Sequence, residues 1–252
     1  MNLILAAHGT RRPGGVAMIG DLAAQVSTLL DRAVQVAFVD VLGPTPSEVL
    51  SRAADGRRAI VVPAFLSRGY HVRTDLPAHV AASGHTNVVV TPALGPSGEI
   101  ARIVFYQLMK SGWRPDDSVI LAPAGTSDHR AHADLHTTAT SLSALTGSRV
   151  SLGFAATGAP HVHQAVDSAR RDGARRVAIA SYLLADGLFQ QRLGSCGADL
   201  VSQPLGTHPG LARLIANRFR RAVPYASQRP RLRSKSMEHK ALHARHADAR
   251  HA

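Results

Sequence analysis

The sequence contains a single cysteine, Cys196, among 252 residues, and this scarcity limits the chemistry available to the chain. One thiol can form neither an internal disulfide framework nor a zinc site built from several thiolates. No apolar run reaches the length of about 18 residues that crosses a bilayer. The start of the chain, Met1 to Ala7, lacks the basic region and the apolar length of a signal peptide. We therefore expect a location in the reducing cytoplasm and no membrane partner.

Nucleotide-binding motifs are also lacking. Gly14-Gly15 has the small residues of a phosphate loop, but no Walker lysine follows and no Gly-x-Gly-x-x-Gly motif occurs. The sequence therefore gives no support for ATP use, and we expect no tightly bound cofactor.

Acidic residues are few, with 17 Asp and Glu against 29 Lys and Arg, which gives a formal net charge of +12. Part of this excess lies in residues 225–252, which have no apolar periodicity and are predicted to form a disordered basic tail. A basic tail can bind nucleic acid. However, the aromatic content is only 4%, and the motif spacings of nucleic-acid-binding domains are missing. A solvated extension is the favoured interpretation.

The rest of the chain repeats itself. Three pairs of segments match at offsets of 116 to 118 residues: 3–10 with 119–126, 34–38 with 150–154, and 59–62 with 177–180. A fourth match joins the Leu-Gly turns at 94–95 and 205–206, each followed by an amphipathic segment. Matches that keep their order predict a tandem duplication. We expect an N-terminal half over 1–113, a C-terminal half over 117–224 and the tail over 225–252.

Each half alternates short apolar strands with helical segments. In the first half, strands are predicted near 2–7, 34–40, 58–63 and 87–91, and helices near 16–31, 46–55, 76–83 and 97–111. Strands that are apolar throughout are typical of a parallel sheet covered on both faces. The sequence therefore predicts an α/β fold of two halves, each a four-stranded parallel sheet flanked by helices.

Three polar residues follow predicted strands of the first half, where such folds bind their ligands. His8 follows the first strand, Asp40 ends the second, and His71 comes after the third. The equivalent positions of the second half are all apolar: Ala124, Ala156 and Phe189. Because a scaffold role would be expected in both copies, the joint loss indicates that the three polar groups form one functional set.

Two imidazoles and a carboxylate suit a borderline divalent metal such as iron(II), cobalt(II), nickel(II) or zinc. Two histidines leave coordination positions open, which suits the handling of a metal rather than its structural storage. The alternative is that each histidine is a hydrogen-bonded loop residue and that Asp40 is a local cap of its turn. Position alone leaves both interpretations open.

Several motifs in order resemble those of the class II tetrapyrrole chelatases, and of the sirohydrochlorin chelatases in particular. They are His8-Gly9-Thr10-Arg11, Phe38-Val39-Asp40, the Pro-x-Phe-Leu-x-x-Gly-x-His run at 63–71, Asp75-Leu76-Pro77 and Leu94-Gly95-Pro96. The resemblance covers about residues 1–224 and is fainter in the second half. It implies a fold of two fused halves and an enzyme, a lyase of siroheme or cobalamin synthesis. The family usually has Glu at the position of Asp40.

The resemblance implies that His8 and His71 bind the incoming metal, with an imidazole or Asp40 accepting pyrrole protons. The substrates would be sirohydrochlorin and a divalent metal, iron(II) in the first place and cobalt(II) as the nearest alternative. Sirohydrochlorin carries eight carboxylates, so we expect a cationic surface around the histidines. The candidates are Arg11, Arg12, Arg68 and Arg73, each of which could also be a solvated surface arginine.

Three further points stay open on the sequence. A non-catalytic carrier of metal or tetrapyrrole would have the same ligands and would yield no metallated product. His129, His132 and His136 share a helix face and could form a second metal site, although an exposed helix face is the favoured interpretation. The oligomeric state is not determined, and two fused halves are compatible with a monomer.

Overall fold

A computed structural model describes residues 1–53 and 56–223. The predicted disordered tail at 225–252 lies outside the described residues and stays a prediction. Residues Met1–Ala222 form one compact unit. Within the described part of the chain, no helix is both long and apolar enough to span a membrane.

The first half contains a four-stranded sheet in the order β2-β1-β3-β4, and every strand pairs in parallel with its neighbour. Its elements are β1 (Asn2–Ala7), α1 (Pro13–Leu30), β2 (Val34–Phe38), α2 (Pro46–Ser51), β3 (Ala59–Pro63), a π-helical turn (His71–Asp75), α3 (Leu76–Ala82), β4 (Val88–Val90) and α4 (Gly98–Lys110).

The second half repeats this arrangement with a parallel sheet in the order β6-β5-β7-β8. Its elements are β5 (Ser118–Pro123), α5 (His129–Thr146), β6 (Val150–Leu152), α6 (Val162–Arg171), β7 (Val177–Tyr182), α7 (Leu188–Gly194), β8 (Leu200–Val201) and α8 (Pro209–Ala222). The predicted α/β fold of two four-stranded parallel sheets is confirmed.

The register of the two sheets reproduces the repeat. Leu3 of β1 pairs with Val34, and Val119 of β5 pairs with Val150, so both partners shift by 116 residues. The turns after β2 and β6 also match, because Phe38 N donates to Pro44 O and Phe154 N donates to Pro160 O. The duplication is therefore present in backbone hydrogen bonds as well as in sequence.

Element ends differ from the prediction by a few residues, for local reasons. Strand β2 ends at Phe38 rather than at 40, because the chain enters a turn in which Leu42 N donates to Asp40 O. Helix α1 begins at Pro13, three residues early, since proline fits the first turn of a helix, where its missing N–H is not needed. Helix α2 begins at Pro46 behind a capping box formed by Thr45 and Glu48.

The last helix of each half packs on the sheet of the other half. Helix α4 contacts β7 of the second sheet, and α8 contacts β3 of the first. Helix α8 also packs against α1, and α4 packs against α5. Each sheet keeps its own shorter helices on the opposite face: Val49 and Leu50 of α2 lie in one core, Ala165 and Val166 of α6 in the other. The two halves therefore share their inner layers.

Reciprocal hydrogen bonds hold the exchanged helices. Gln107 of α4 donates from Nε2 to Pro204 O at 2.8 Å, and Arg218 of α8 donates from Nη2 to Ala93 O at 3.2 Å. The donors are 111 residues apart and so are the acceptors, so each half makes the same bond to the other.

The segment that joins the halves follows α4 and contains the predicted boundary at 113–117. Its Trp113, the single tryptophan of the chain, packs on Phe105 of α4 with ring centroids 5.4 Å apart. Gly112 O accepts a hydrogen bond from Arg176 Nη2 of the second half at 3.1 Å. The end of α4 is thereby tied to the second half.

The backbone conformation after β5 can be tested at Gly125, which has a positive φ. Gly125 has φ +125°, and a Cβ there would lie 1.9 Å from Thr157 O. We expect Gly125→Ala to lower the free energy of unfolding by about 1–3 kcal/mol, because left-handed strain and the contact with Thr157 add. Urea denaturation followed by circular dichroism measures this.

Gly20→Ala is the matched control. Gly20 lies in α1 with nothing within 4 Å of a built Cβ, so the substitution should raise the free energy of unfolding by about 0.5–1 kcal/mol. Equal effects of the two substitutions would contradict the described conformation of Gly125.

Candidate metal and tetrapyrrole site

A cavity of about 540 Å³ lies at the carboxyl ends of the strands and is lined by both halves. His8 follows β1 and His71 opens the π-helical turn after β3, and both line this cavity. Strands β1 and β3 are neighbours in the sheet, with Ala6 opposite Pro63. The two imidazole rings consequently meet, with centroids 4.4 Å apart and an interplanar angle of 87°.

Hydrogen bonds on Nδ1 fix the tautomer of both histidines. His71 Nδ1 is 2.5 Å from the Asp75 carboxylate, and His8 Nδ1 is 3.1 Å from Gly9 O. Both partners are acceptors, so each Nδ1 carries the proton in the neutral imidazole, which leaves the lone pair on Nε2. This is the form in which histidine binds a metal through Nε2.

Asp75 is a candidate site residue to which the sequence alone assigns no role. It belongs to the Asp75-Leu76-Pro77 motif, and its spacing of four residues from His71 is the sequence signal of this pairing. The π-helical turn, in which Leu76 N donates to His71 O, brings the two side chains together. Single π-helical turns occur often at functional sites. The Asp75 carboxylate orients the His71 ring by accepting from Nδ1, which leaves Nε2 free to face the cavity.

Asp40 lies beside His8, but its carboxylate is engaged locally. Asp40 N donates to His8 O at 3.1 Å, which places the two backbones side by side. The side chain is exposed, and its Oδ1 accepts a hydrogen bond from Val41 N at 2.7 Å. The structure thus brings His8 and His71 together, whereas the Asp40 carboxylate caps its own turn. Its catalytic role stays a prediction.

The four predicted substrate arginines are held in different ways, and three of them reach the second half. The contacts are Arg12 Nη2 to Gln191 Oε1 at 3.2 Å, Arg68 Nη2 to Asp134 Oδ1 at 2.5 Å, and Arg73 Nη1 to Asp128 Oδ2 at 3.4 Å. Arg11 is exposed. Asp134 raises the pKa of Arg68 further above its usual value, so this guanidinium is firmly paired.

The walls of the cavity are largely apolar. Phe65 lies with its ring centroid 6.0 Å from that of His71, and the exposed Tyr70 approaches His71 at the same distance. The second half contributes the equivalents of the three polar residues, since Ala124, Ala156 and Phe189 all line the cavity. The half that lost the polar set therefore supplies an apolar surface in the same cavity as the histidines.

A larger cleft of about 1590 Å³ adjoins this cavity, and Met18 lines both. Its basic side chains are Arg12, Arg102, Lys110, Arg213 and His208, and its acidic ones are Asp21, Glu99 and Asp186. Burial lowers the pKa of His208, and the nearby charges of Arg213 and Lys110 add to this effect. His208 and Arg213 at the start of α8 and Lys110 at the end of α4 thus line the same cleft.

In the other histidine cluster, His132 and His136 line a separate cavity of about 460 Å³. His132 Nε2 bonds to Thr126 O at 3.0 Å, and its ring packs on Phe154. In the described residues, 1–53 and 56–223, no group of three or more His, Cys, Asp or Glu side chains is arranged to hold a metal ion. His8 and His71 remain a two-imidazole site.

Solved structures share this fold. SirB from Bacillus subtilis with Fe³⁺ superposes with a TM-score of 0.75 at 18% identity, covering 90% of this chain and 98% of SirB. CbiX, the terminal enzyme for biosynthesis of siroheme in denitrifying bacteria, superposes with a TM-score of 0.68 at 21% identity, covering 89% and 100% of the two chains. The chain therefore has the chelatase-like α/β fold of two fused halves.

Sequence comparison gives the family. The sequence model of CbiX matches residues 2–111 and 118–222, one match for each half. This chain belongs to the CbiX family, which confirms the resemblance described above.

Curated relatives are sirohydrochlorin cobaltochelatases. One from Priestia megaterium is 25% identical over 236 residues, covering 86% of this chain and 74% of the relative. Another, from Methanopyrus kandleri, is 32% identical over 78 residues, covering 30% of this chain and 54% of the relative.

Metal binding by the two histidines is directly testable. We expect His8→Ala and His71→Ala to abolish cobalt(II) binding to the protein, and Asp75→Asn to weaken it about 10–100-fold, because the neutral amide no longer fixes the His71 ring. Titration of cobalt(II) followed by its visible absorption measures the affinity. His163→Ala, an exposed residue of α6, is the control and should bind normally. Undiminished binding in both histidine variants would exclude the site.

Proposed function

We propose that the protein inserts a divalent metal, iron(II) in the first place, into sirohydrochlorin without ATP. The observation that carries the proposal is the pair of Nε2 lone pairs at His8 and His71, presented in an apolar cavity that adjoins a basic cleft. Membership of the CbiX family and the names of the curated relatives support the same substrate.

The chemistry requires a metal ion to leave its ligands as two pyrrole N–H groups lose their protons. Two neutral imidazoles can hold the ion through Nε2 while it loses water. As the metal passes to the four ring nitrogens, each Nε2 lone pair is freed, and the two histidines together can accept the two protons. The charge balances, because a dication enters the ring and two protons leave it. Asp75 favours this step, since its carboxylate stabilises a protonated His71.

The macrocycle would occupy both cavities. A volume of about 540 Å³ suits a drug-sized ligand, whereas a tetrapyrrole with eight carboxylates is larger. With one ring face over the histidines and against Phe189, its edge would extend past Met18 into the larger cleft. There Arg12, Arg102 and Arg213 are placed to pair with carboxylates.

The metal preference is a proposal with a close alternative. Two imidazoles bind iron(II) and cobalt(II) similarly, so the ligand set separates the two metals poorly. The structural relatives include an enzyme of siroheme biosynthesis, which favours iron, whereas the curated relatives are cobaltochelatases. Cobalt(II) insertion for cobalamin synthesis is the second candidate, and a non-catalytic carrier of metal or tetrapyrrole is the third.

Anaerobic incubation of purified protein with sirohydrochlorin and iron(II), cobalt(II) or nickel(II) in parallel separates these candidates. We expect multiple turnovers, fastest with iron(II), without added ATP, followed by the visible spectrum of the metallated product. Faster turnover with cobalt(II) would establish the second candidate. Binding of both ligands without metallated product, even with enzyme in excess, would leave only the carrier.

Substitution of an arginine in the larger cleft should change the KM for sirohydrochlorin and not the KM for the metal. We expect Arg213→Gln to raise KM for sirohydrochlorin about tenfold, because a charge-assisted bond to a carboxylate is lost, and to leave KM for the metal unchanged. Steady-state kinetics with each substrate varied in turn measures this. Arg170→Gln is the control, because Arg170 pairs with Asp199 at 2.6 Å and lines neither cavity among the residues described. An unchanged KM for sirohydrochlorin in Arg213→Gln would place the carboxylates elsewhere.

A further inference from the structure

The segment at 64–70, which leads from β3 to His71, is bound by the second half at two points. Tyr182 at the end of β7 donates its hydroxyl hydrogen bond to Leu66 O at 2.8 Å. Asp134 of α5 accepts from Arg68 N through Oδ2 at 2.8 Å. Both are bonds to the backbone of the segment, so they fix its path and not merely one of its side chains.

Asp134 is almost completely buried, with 1% of its surface exposed. Its carboxylate accepts from Arg68 N, and from Arg68 Nε at 3.1 Å and Nη2 at 2.5 Å. A buried carboxylate is costly unless it is paired and hydrogen-bonded. Within the described residues, the hydrogen bonds that this buried carboxylate accepts all come from Arg68 of the other half. Pairing with Arg68 therefore satisfies Asp134 only when the 64–70 segment is correctly placed.

Tyr182 is also buried, with 3% of its surface exposed. Burial raises the pKa of its hydroxyl, which keeps the group neutral and able to donate. A turn of the first half also binds the segment, because Leu94 N donates to Phe65 O at 2.9 Å. A Cβ on Gly95 would lie 2.1 Å from Leu66 O and 2.7 Å from the Tyr182 hydroxyl. The segment is thus fixed by hydrogen bonds to both the Leu94-Gly95 turn and the second half.

Rigid backbone carries this constraint to the metal ligand. Gly69 O accepts from both Val72 N and Arg73 N, so Arg68 is followed directly by hydrogen-bonded structure that contains His71. His8 needs no such support, because it follows β1 immediately and β1 is paired on both sides. The position of His71 relative to His8 therefore depends on the 64–70 segment.

We propose that Asp134 and Tyr182 are positioning residues that act through Arg68 and Leu66 to place His71 opposite His8. The second half has apolar residues at the positions of the polar set, and it supplies side chains that position the set of the first half. The catalytic part of this inference rests on the proposed function, whereas the metal-binding part does not. Displacements of about 1 Å from a reacting geometry can reduce a rate about 100-fold, so a misplaced His71 would be costly.

Asp134→Asn is the principal test, with Asp117→Asn as its matched control. Asp117 is another buried acid of the second half, 3% exposed, which accepts from Arg114 N and pairs with Arg176. It precedes β5 and so lies at the amino ends of the strands, away from the cavity. We expect both variants to lose stability to heat, while Asp134→Asn alone weakens cobalt(II) binding, by about tenfold or more.

Two further variants keep the proposal testable should Asp134→Asn not fold. Tyr182→Phe keeps the ring and removes the donor, and should also weaken cobalt(II) binding. Arg68→Gln should reproduce the effect of Asp134→Asn, and the double variant should add little to either, because the two residues act as one pair. In steady-state kinetics of Asp134→Asn, Tyr182→Phe and Arg68→Gln, we expect KM for the metal to rise and KM for sirohydrochlorin to stay constant. A rise in KM for sirohydrochlorin alone would make Arg68 a substrate residue and overturn the proposal.

The positioning proposal would also be overturned if Asp134→Asn and Tyr182→Phe bound cobalt(II) as tightly as Asp117→Asn does. It would be overturned as well if the wild-type protein bound no cobalt(II). Wild-type protein that binds cobalt(II) but never metallates sirohydrochlorin would end the proposed function only. The selective loss of affinity in Asp134→Asn would then still support the positioning role.

Discussion

The packing of each half's last helix on the sheet of the other half determines where everything else lies. Because α8 contacts β3 and α4 contacts β7, part of the inner face of each sheet is buried by chain from the other half. This exchange brings the carboxyl ends of both sheets to a common cavity. The loops that follow the strands then meet across it, which is why residues as distant in sequence as Arg68 and Asp134 can pair.

Symmetry in the packing contrasts with asymmetry in the cavity. The equivalent bonds of Gln107 and Arg218 show that the exchange has been kept in both copies, as the buried strands have. In the cavity, two imidazoles of one half lie with Ala124 and Phe189 of the other. A flat apolar ligand with a polar centre would suit such walls, because a second charged set would add desolvation cost without a partner.

Strands, helices and the candidate ligands were predictable, because each depends on local pattern. Apolar runs identified the strands, and the rule that ligands bind at strand ends selected His8 and His71. The helix exchange was not predictable, since the periodicity of α8 shows that one face is buried but not against which sheet. The arginines show the same limit: Arg68 was assigned to substrate because it flanks His71, whereas its partner Asp134 lies 66 residues away in the sequence. The charge of an arginine indicates that it forms an ion pair, but the sequence does not indicate which acidic group is the partner.

The packing of Trp113 on Phe105 has a consequence for spectroscopy. The single tryptophan sits where α4 leaves the first half and where Gly112 is bonded to Arg176, and it lines neither of the two large cavities among the described residues. Its emission is therefore an internal probe of the docking between halves that needs no label. The cavity that contains His8 and His71 lies at the other end of the strands, so Trp113 is separated from that site along the sheet.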